Sequence, residues 1–443
     1  MLSFTQRNYY NSSSSQNFFI GINIASSINK LEIAVIKVDS PSPGTPITLI
    51  KSMSFDLPHE IGEAYKKIKH RLQNSCSIPQ NSSSMIRFNE DFDKFQDRDI
   101  QLLRSLIVSV QEEAVRELLR EAQLSIENIT AVTLANTGFD YCQTGTGESP
   151  RYYNVNDGKE LAKKLHTNVI HSFFYANSTQ KFHHQLSIPY WLLLSDKNSE
   201  RIFIDFGKSL RWFYLPRASK VSLFQAEVKY REVTSCGSLL DAITQKVTLG
   251  KQVVDNEGKL STKGNLSSDL LTLWDSKYQF VQSHYPPYHL NKIFYADVLS
   301  DALNNTPPYD VLNTASHWIV HNLENSLVEN LDVFSSSCPI IVTGASLHNS
   351  LLKRLTNEKF EKFELRRLAS YGFIEDSFDA IATSLLGLLV EPCNPPKPSH
   401  SQTFAPRKLI PGGVLTTSQD SFQLFRSYQK KRTTSLRPSI DSL

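Results

Sequence analysis

Residues 18–38 read FFIGINIASSINKLEIAVIKV, from Phe18 to Val38. Two short apolar runs rich in β-branched residues flank a Ser/Asn turn, and the second alternates at its start. That pattern predicts two strands joined as a hairpin. Outward from it, Thr48 to Phe55 predicts a third strand and Glu60 to Leu72 a helix. Residues 97–123 place Leu103, Leu106, Ile107, Val110, Val115 and Leu119 at three- to four-residue spacing, an amphipathic helical pattern. A buried strand follows at 129–134. Further patterns are a helix at 161–165, strands at 168–170 and 201–205, and helices at 238–248, 266–274, 293–304 and 309–333. Pro339 to Gly344 is strand-then-glycine and leads into a helix through Leu355, while 376–390 predicts a buried helix. Alternating strands and helices behind a front hairpin define an α/β chain, and no repeat of roughly 20–50 residues is visible.

The 443 residues carry 47 Lys and Arg against 44 Asp and Glu, and 40% are hydrophobic. Ample apolar material excludes intrinsic disorder as the general state. No run reaches the roughly 18–20 apolar residues of a membrane span, so no membrane association is expected. The start shows no apolar segment behind a basic one, and five scattered cysteines form no CxxC pair. The cytoplasm is therefore the default compartment, with the nucleus open. Residues 401–443 hold seven basic and two acidic residues, leaving a near-neutral body that does not read as a nucleic-acid binder. Residues 1–17 and 396–443 read as disordered ends.

Several short patterns carry chemistry on paper. His317 and His321 stand four apart on one helix face, but Trp318 occupies the place where zinc hydrolases need a glutamate. Asp205-Phe206-Gly207 lacks the other kinase signatures, and Thr144-Gly145-Thr146-Gly147 lacks the ending of a P-loop. More informative are Gly21, Gly207 and Gly344, each closing or opening a strand. Such turns let backbone amides approach phosphates. Glycine also ends strands for steric reasons, so the residues alone stop at an α/β protein with a possible nucleotide site.

The order of these elements resembles the anhydro-N-acetylmuramic acid kinase family, from about Ile20 to Val390. Gly21 to Ile36 aligns without gaps on the family's GTMSGTSxDGxDxAL segment, with Ser27 and Ala34 in agreement. Ala114 to Val132 resembles its helix-then-strand unit. Asp255-Asn256-Glu257-Gly258 with Gly264 resembles YDxxGxxAxxG; Tyr285-Pro286-Pro287 follows, and Asp310 to Thr314 resembles DxxxT. The resemblance implies two actin-like (RNase H-like) domains flanking a cleft. The first would span 18–185, completed by the helix near 376–390, and the second 186–375. It also implies ATP with Mg, amino sugar metabolism, a sugar hydroxyl as phosphate acceptor, and a possible homodimer.

The catalytic positions depart from the family. Ser172 stands at the general-base aspartate of DFRxxD, Phe174 at its arginine and Asn177 at its second aspartate. Asn29 replaces the GTSxDG aspartate, followed by Lys30. GPGN becomes Ser235-Cys236-Gly237-Ser238, and GGGAxN keeps Gly344 and Ala345 with Asn349. NIGGIAN lies over Asp205 to Arg211. The nucleotide-binding candidates are Gly21, Ser26, Ser27, Asp205, Gly207, Lys208, Gly344 and Ala345; no metal ligand set stands out. Scaffold positions persist where catalytic ones are replaced. That points to a kinase-fold protein without sugar chemistry, a pseudokinase that binds or regulates. An active, divergent ATP-dependent sugar kinase is the alternative. The tail supplies the candidate contact for a protein partner: Phe422, Leu424, Phe425 and Tyr428 sit among basic residues ahead of Thr433, Thr434 and Ser435.

Overall fold

The structure, a computed structural model, describes residues 17–25, 28–38, 47–74, 98–141, 151–174, 185–218, 228–284, 302–331, 338–389, 391–392 and 412–416. The first strands are β1 (Asn17–Ile24), β2 (Lys30–Val38), β3 (Ile47–Asp56), β4 (Ile129–Leu134), β5 (Gly138–Tyr141), β6 (Arg151–Asn154) and β7 (Val169–Phe174). Then come β8 (Arg201–Phe206), β9 (Ser209–Leu215), β10 (Lys229–Ser235), β11 (Ile340–Thr343), β12 (Leu365–Arg367), β13 (Glu391–Pro392) and β14 (Gly412–Thr416). The helices are α1 (His59–Asn74), α2 (Arg98–Ala122), α3 (Gly158–Leu165), α4 (Ser187–Leu194) and α5 (Gly237–Val247). They continue with α6 (Ser268–His284), α7 (Pro308–Asn330), α8 (Ser350–Lys359) and α9 (Glu375–Leu389).

The chain divides into two compact units, residues 1–193 with 376–443, and residues 194–375. The sequence placed the first boundary before α4, but α4 stays with the first unit. Its Tyr190 ring stacks on Phe378 of α9 at 5.3 Å, and the Tyr190 hydroxyl donates to Asp379 at 2.6 Å.

In the first unit the sheet runs β13-β14-β7-β4-β1-β2-β3. β1, β2 and β3 are antiparallel neighbours, with Gly21 opposite Ala34, while β4 and β7 run parallel to β1. β1 is almost wholly buried, as a strand covered on both faces requires. Ile20, Ile22, Ile33 and Val35 share a core with Leu103, Ile107, Val115 and Leu118 of α2, and α9 packs against Gly21.

The sheet of the second unit runs β10-β9-β8-β11-β12. β8, β9 and β10 are antiparallel neighbours, and β11 and β12 run parallel to β8. Both units therefore repeat one order: an antiparallel meander on one side of the first strand and two parallel strands on the other. The second core is aromatic. Trp318 of α7 meets Trp274 and Tyr278 of α6 edge-on, at 5.9 and 5.1 Å between ring centroids. Pro308 opens α7, where its missing amide hydrogen is no loss.

The expected front hairpin, the strands at 129–134 and 201–205, and the buried helix at 376–390 are all present. Missing from the sequence reading were α4, β9, β10, β12 and the β5–β6 hairpin. One expectation for the tail is corrected: Gly412–Thr416 forms β14, antiparallel to β7, with Leu415 opposite Ile170 and Thr416 opposite Val169. Its Val-Leu-Thr run suits the open edge of β7. Ser26, Ser27, Asn177, the 144–147 glycine loop, Tyr285 to Pro287, most of 293–304, residues 1–16 and the rest of the tail lie outside the described residues. Among the described residues, no helix is long and apolar enough to cross a membrane.

Candidate functional site

Five of the nucleotide candidates come together in the second unit, where β8 turns into β9. The turn residues Gly207 and Lys208 face the start of α5. The Gly207 carbonyl accepts from the Gly237 amide at 3.0 Å and from the Ser346 hydroxyl at 3.1 Å. The Lys208 carbonyl accepts from the amides of Cys236 and Ser238, at 2.9 and 3.2 Å, and from the Ser238 hydroxyl at 2.8 Å. Gly344 closes β11 at φ +111°, and a Cβ there would lie 2.4 Å from the Phe206 backbone. Only glycine lets the end of β11 approach β8 so closely. Asp205, Gly207 and Lys208 are thus tied to Gly344 and Ala345 through the Gly207–Ser346 bond.

This assembly has the outline of an anion site, since a helix N-terminus offers backbone amides and a favourable dipole. Its donors, however, are already engaged. The Gly237 and Ser238 amides are taken by the turn carbonyls. The Asp205 carboxylate pairs with Arg211, directly opposite on β9. Lys208 Nζ reaches Asp241 at 3.4 Å, and burial raises the Asp241 carboxyl above its ordinary range.

Gly21 belongs to the first unit. A Cβ at Gly21 would sit 2.1 Å from the Ala380 carbonyl oxygen and 2.2 Å from the Ser384 amide nitrogen. Its missing side chain is accounted for by the crossing of α9. Asn29 is exposed beyond the β1 turn, and its carbonyl accepts from the Leu57 amide at 2.8 Å. The neighbouring Ile28 is buried at φ +51°, a strained setting for a β-branched side chain. Ser172 lies within β7.

A carboxylate that the sequence reading passed over sits nearby. Glu32 of β2 occupies the second aspartate of the GTMSGTSxDGxDxAL segment, a signal that was available in the alignment. Asn23 Nδ2 donates to Glu32 Oε2 at 3.2 Å. Asp376 and Asp379 of α9 add negative charge, with Asp376 also paired to Lys30 at 2.9 Å. Burial, then repulsion by Asp379, pushes the Glu32 carboxyl up to about 8. The folded state therefore holds this proton more tightly than the unfolded chain does. The protonated form's stability advantage is full at acid pH and is lost as pH rises towards about 8. Glu32→Gln is expected to be more stable than the parent by on the order of 2 kcal/mol near pH 8.5, with the gain vanishing towards pH 5. Chemical denaturation at the two pH values checks it; an equal gain at both would discount the titration of Glu32.

The remaining matched positions serve the scaffold. Buried Asp255 accepts from the Leu260 and Ser261 amides at 2.8 and 3.0 Å and from Asn349 Nδ2 at 3.3 Å. Asp310 accepts from the Asn265 amide at 2.7 Å, and the Thr314 hydroxyl from the Ser267 amide at 3.0 Å. These bonds tie the 255–267 loops to α7 and α8. His321 pairs with Asp275 at 3.3 Å, and half-buried His317 is pushed down by burial. Among the described residues, no group of three His, Cys, Asp or Glu could hold a metal ion.

The duplicated strand order, with helices on the sheets, makes this an α/β protein of two similarly wound units. In sequence the chain is similar to anhydro-N-acetylmuramic acid kinases, at the distance of a divergent relative. The kinase of Clostridioides difficile is 20% identical over 392 residues, covering 84% of this chain and 91% of that protein. That of a Cyanothece strain is 25% identical over 201 residues, covering 44% and 52%. Among solved structures, the ROK family glucokinase of Streptomyces griseus in complex with glucose and AMPPNP superposes with a TM-score of 0.35. It is 10% identical and covers 83% of this chain and 97% of that one. No family model matches the chain.

Proposed function

We propose that this protein keeps the sugar-kinase scaffold without its phosphotransfer chemistry and works as a binding or regulatory protein. The carrying observation is Ser172, in β7, at the position where the resembling kinases place their general base. A serine hydroxyl is a far weaker base than a carboxylate and does not by itself take a proton from water near neutral pH. The internal pairing of Asp205 with Arg211 and of Lys208 with Asp241 supports the same reading. ATP phosphates would meet Gly207, Lys208 and the start of α5, where they would have to displace these partners. A magnesium ion would likewise have to compete with Arg211 for Asp205. A partner protein would engage the basic tail, and the cytoplasm is the compartment this reading assigns.

A second reading, an active kinase phosphorylating an anhydro amino sugar or a related carbohydrate, is favoured by Glu32. A carboxyl titrating near pH 8 is suited to proton transfer at neutral pH. Thermal unfolding with and without Mg·ATP separates the two, because a ligand stabilises only the form that binds it. Under the first reading, millimolar Mg·ATP is expected to leave the unfolding temperature within about 1 °C. A metal-dependent rise of several degrees, with ATP consumed in the presence of an anhydro sugar, would establish the second. For the tail, removing residues 417–443 spares β14 and is expected to abolish partner capture; unchanged capture would discard that contact.

A further inference from the structure

The second unit also carries a hollow of about 530 Å³ that shares no residue with the β8–β9 turn. Its rim bears Lys259, His348, Lys353 and Arg367. Its one carboxylate, on Glu257, is already held by Lys259 at 2.9 Å. Lys353 stands exposed on the first turn of α8, and Arg367 has a long pairing to Glu375, at 3.7 Å. Among the described residues the lining carries three Lys and Arg side chains against one carboxylate, and Lys353 makes no ion pair, so the hollow keeps a net positive charge.

The surrounding backbone is fixed. Asn349 caps α8 by accepting from the Leu352 amide at 3.1 Å, and the Ser350 hydroxyl donates to the Glu257 carbonyl at 2.8 Å. Glu257 itself sits at φ +57°, in the left-handed region. The Thr262 hydroxyl donates to the Gly258 carbonyl at 2.8 Å. The 10-residue helix α8 thus begins at the hollow, adding its positive end to the basic side chains. Leu347 supplies an apolar floor. The volume falls within the roughly 300–1,000 Å³ of small-molecule sites and exceeds what a bare phosphate needs.

We propose that this hollow binds a small phosphorylated organic molecule, with its phosphate held by Lys353, Arg367 and His348 and its organic part over Leu347. The inference is independent of whether the β8–β9 turn holds a nucleotide. The test is isothermal titration of the full chain with AMP, glucose 6-phosphate and inorganic pyrophosphate, repeated on Lys353→Glu and Lys208→Ala. At least one of the two organic phosphates is expected to bind, to weaken roughly tenfold or more in Lys353→Glu, and to be unchanged in Lys208→Ala. Lys353 is exposed, so its replacement does not put folding at risk. Binding of pyrophosphate alone would overturn the organic part of the assignment. No binding at millimolar concentration, or binding that follows Lys208→Ala and ignores Lys353→Glu, would overturn the site.

Discussion

Gly21→Ala is expected to lower the unfolding free energy by about 3 kcal/mol, visible as a reduced urea midpoint. The added methyl would meet the Ala380 carbonyl oxygen at 2.1 Å and the Ser384 amide nitrogen at 2.2 Å. Both are helix backbone, so neither can swing aside as the end of a flexible side chain could. β1 is equally constrained within the sheet, since it pairs with β2 on one edge and β4 on the other. The clash must be relieved by moving α9 bodily, which would loosen the packing of Ile381 and Leu385. Gly21→Ala with an unchanged midpoint but lost ATP binding would instead make Gly21 a ligand contact. The same glycine thus looks like a phosphate turn in sequence and acts as a helix crossing in space.

That ambiguity explains which parts of the molecule were legible. The hairpin at 18–38 was readable because β-branched runs around a polar turn have few alternatives. The buried helix at 376–390 was readable because Phe378, Ala380 to Ala382 and Leu385 to Val390 keep it mostly apolar, with only small or hydroxyl residues breaking it after Asp379. Ser209-Leu210-Arg211-Trp212-Phe213-Tyr214-Leu215 was not, because two adjacent buried aromatics break its alternation. α4 is Ser-Ile-Pro-Tyr-Trp-Leu-Leu-Leu, apolar on every side, so it offers no period to detect. The doubling of one strand order in both units leaves no repeat in the sequence. A shared topology constrains where apolar residues fall and leaves their identities free. At the site, Gly207 and Gly344 were found as glycines after strands. Arg211, which pairs with Asp205, and Glu232, which faces Arg211 on the far side, are brought into line only by the β8–β9–β10 register.

Asp205 and Arg211 are expected to behave as one unit in a double-mutant cycle. Their side chains are 14% and 23% exposed, so each is partly withdrawn from water. Arg211→Asn leaves the Asp205 carboxylate without its cation, and also removes the cation that stands opposite Glu232 on β10. Loss of one partner from a partly buried pair is expected to lower stability by about 2 kcal/mol. Asp205→Asn alone leaves a less buried cation, with Glu232 at the facing register position on β10, and is expected to be the milder change. The double variant places amides at both positions, the arrangement of the NIGGIAN segment that the chain resembles. It is expected to recover at least about 1 kcal/mol relative to the sum of the single changes. Urea denaturation of the four proteins gives the coupling directly. Additive losses would mean that the two groups do not hold each other, leaving Asp205 available to a cation and strengthening the active-kinase reading. Strong coupling means that the acidic group nearest the turn is occupied with holding the sheet together, as a scaffold relieved of phosphotransfer would permit.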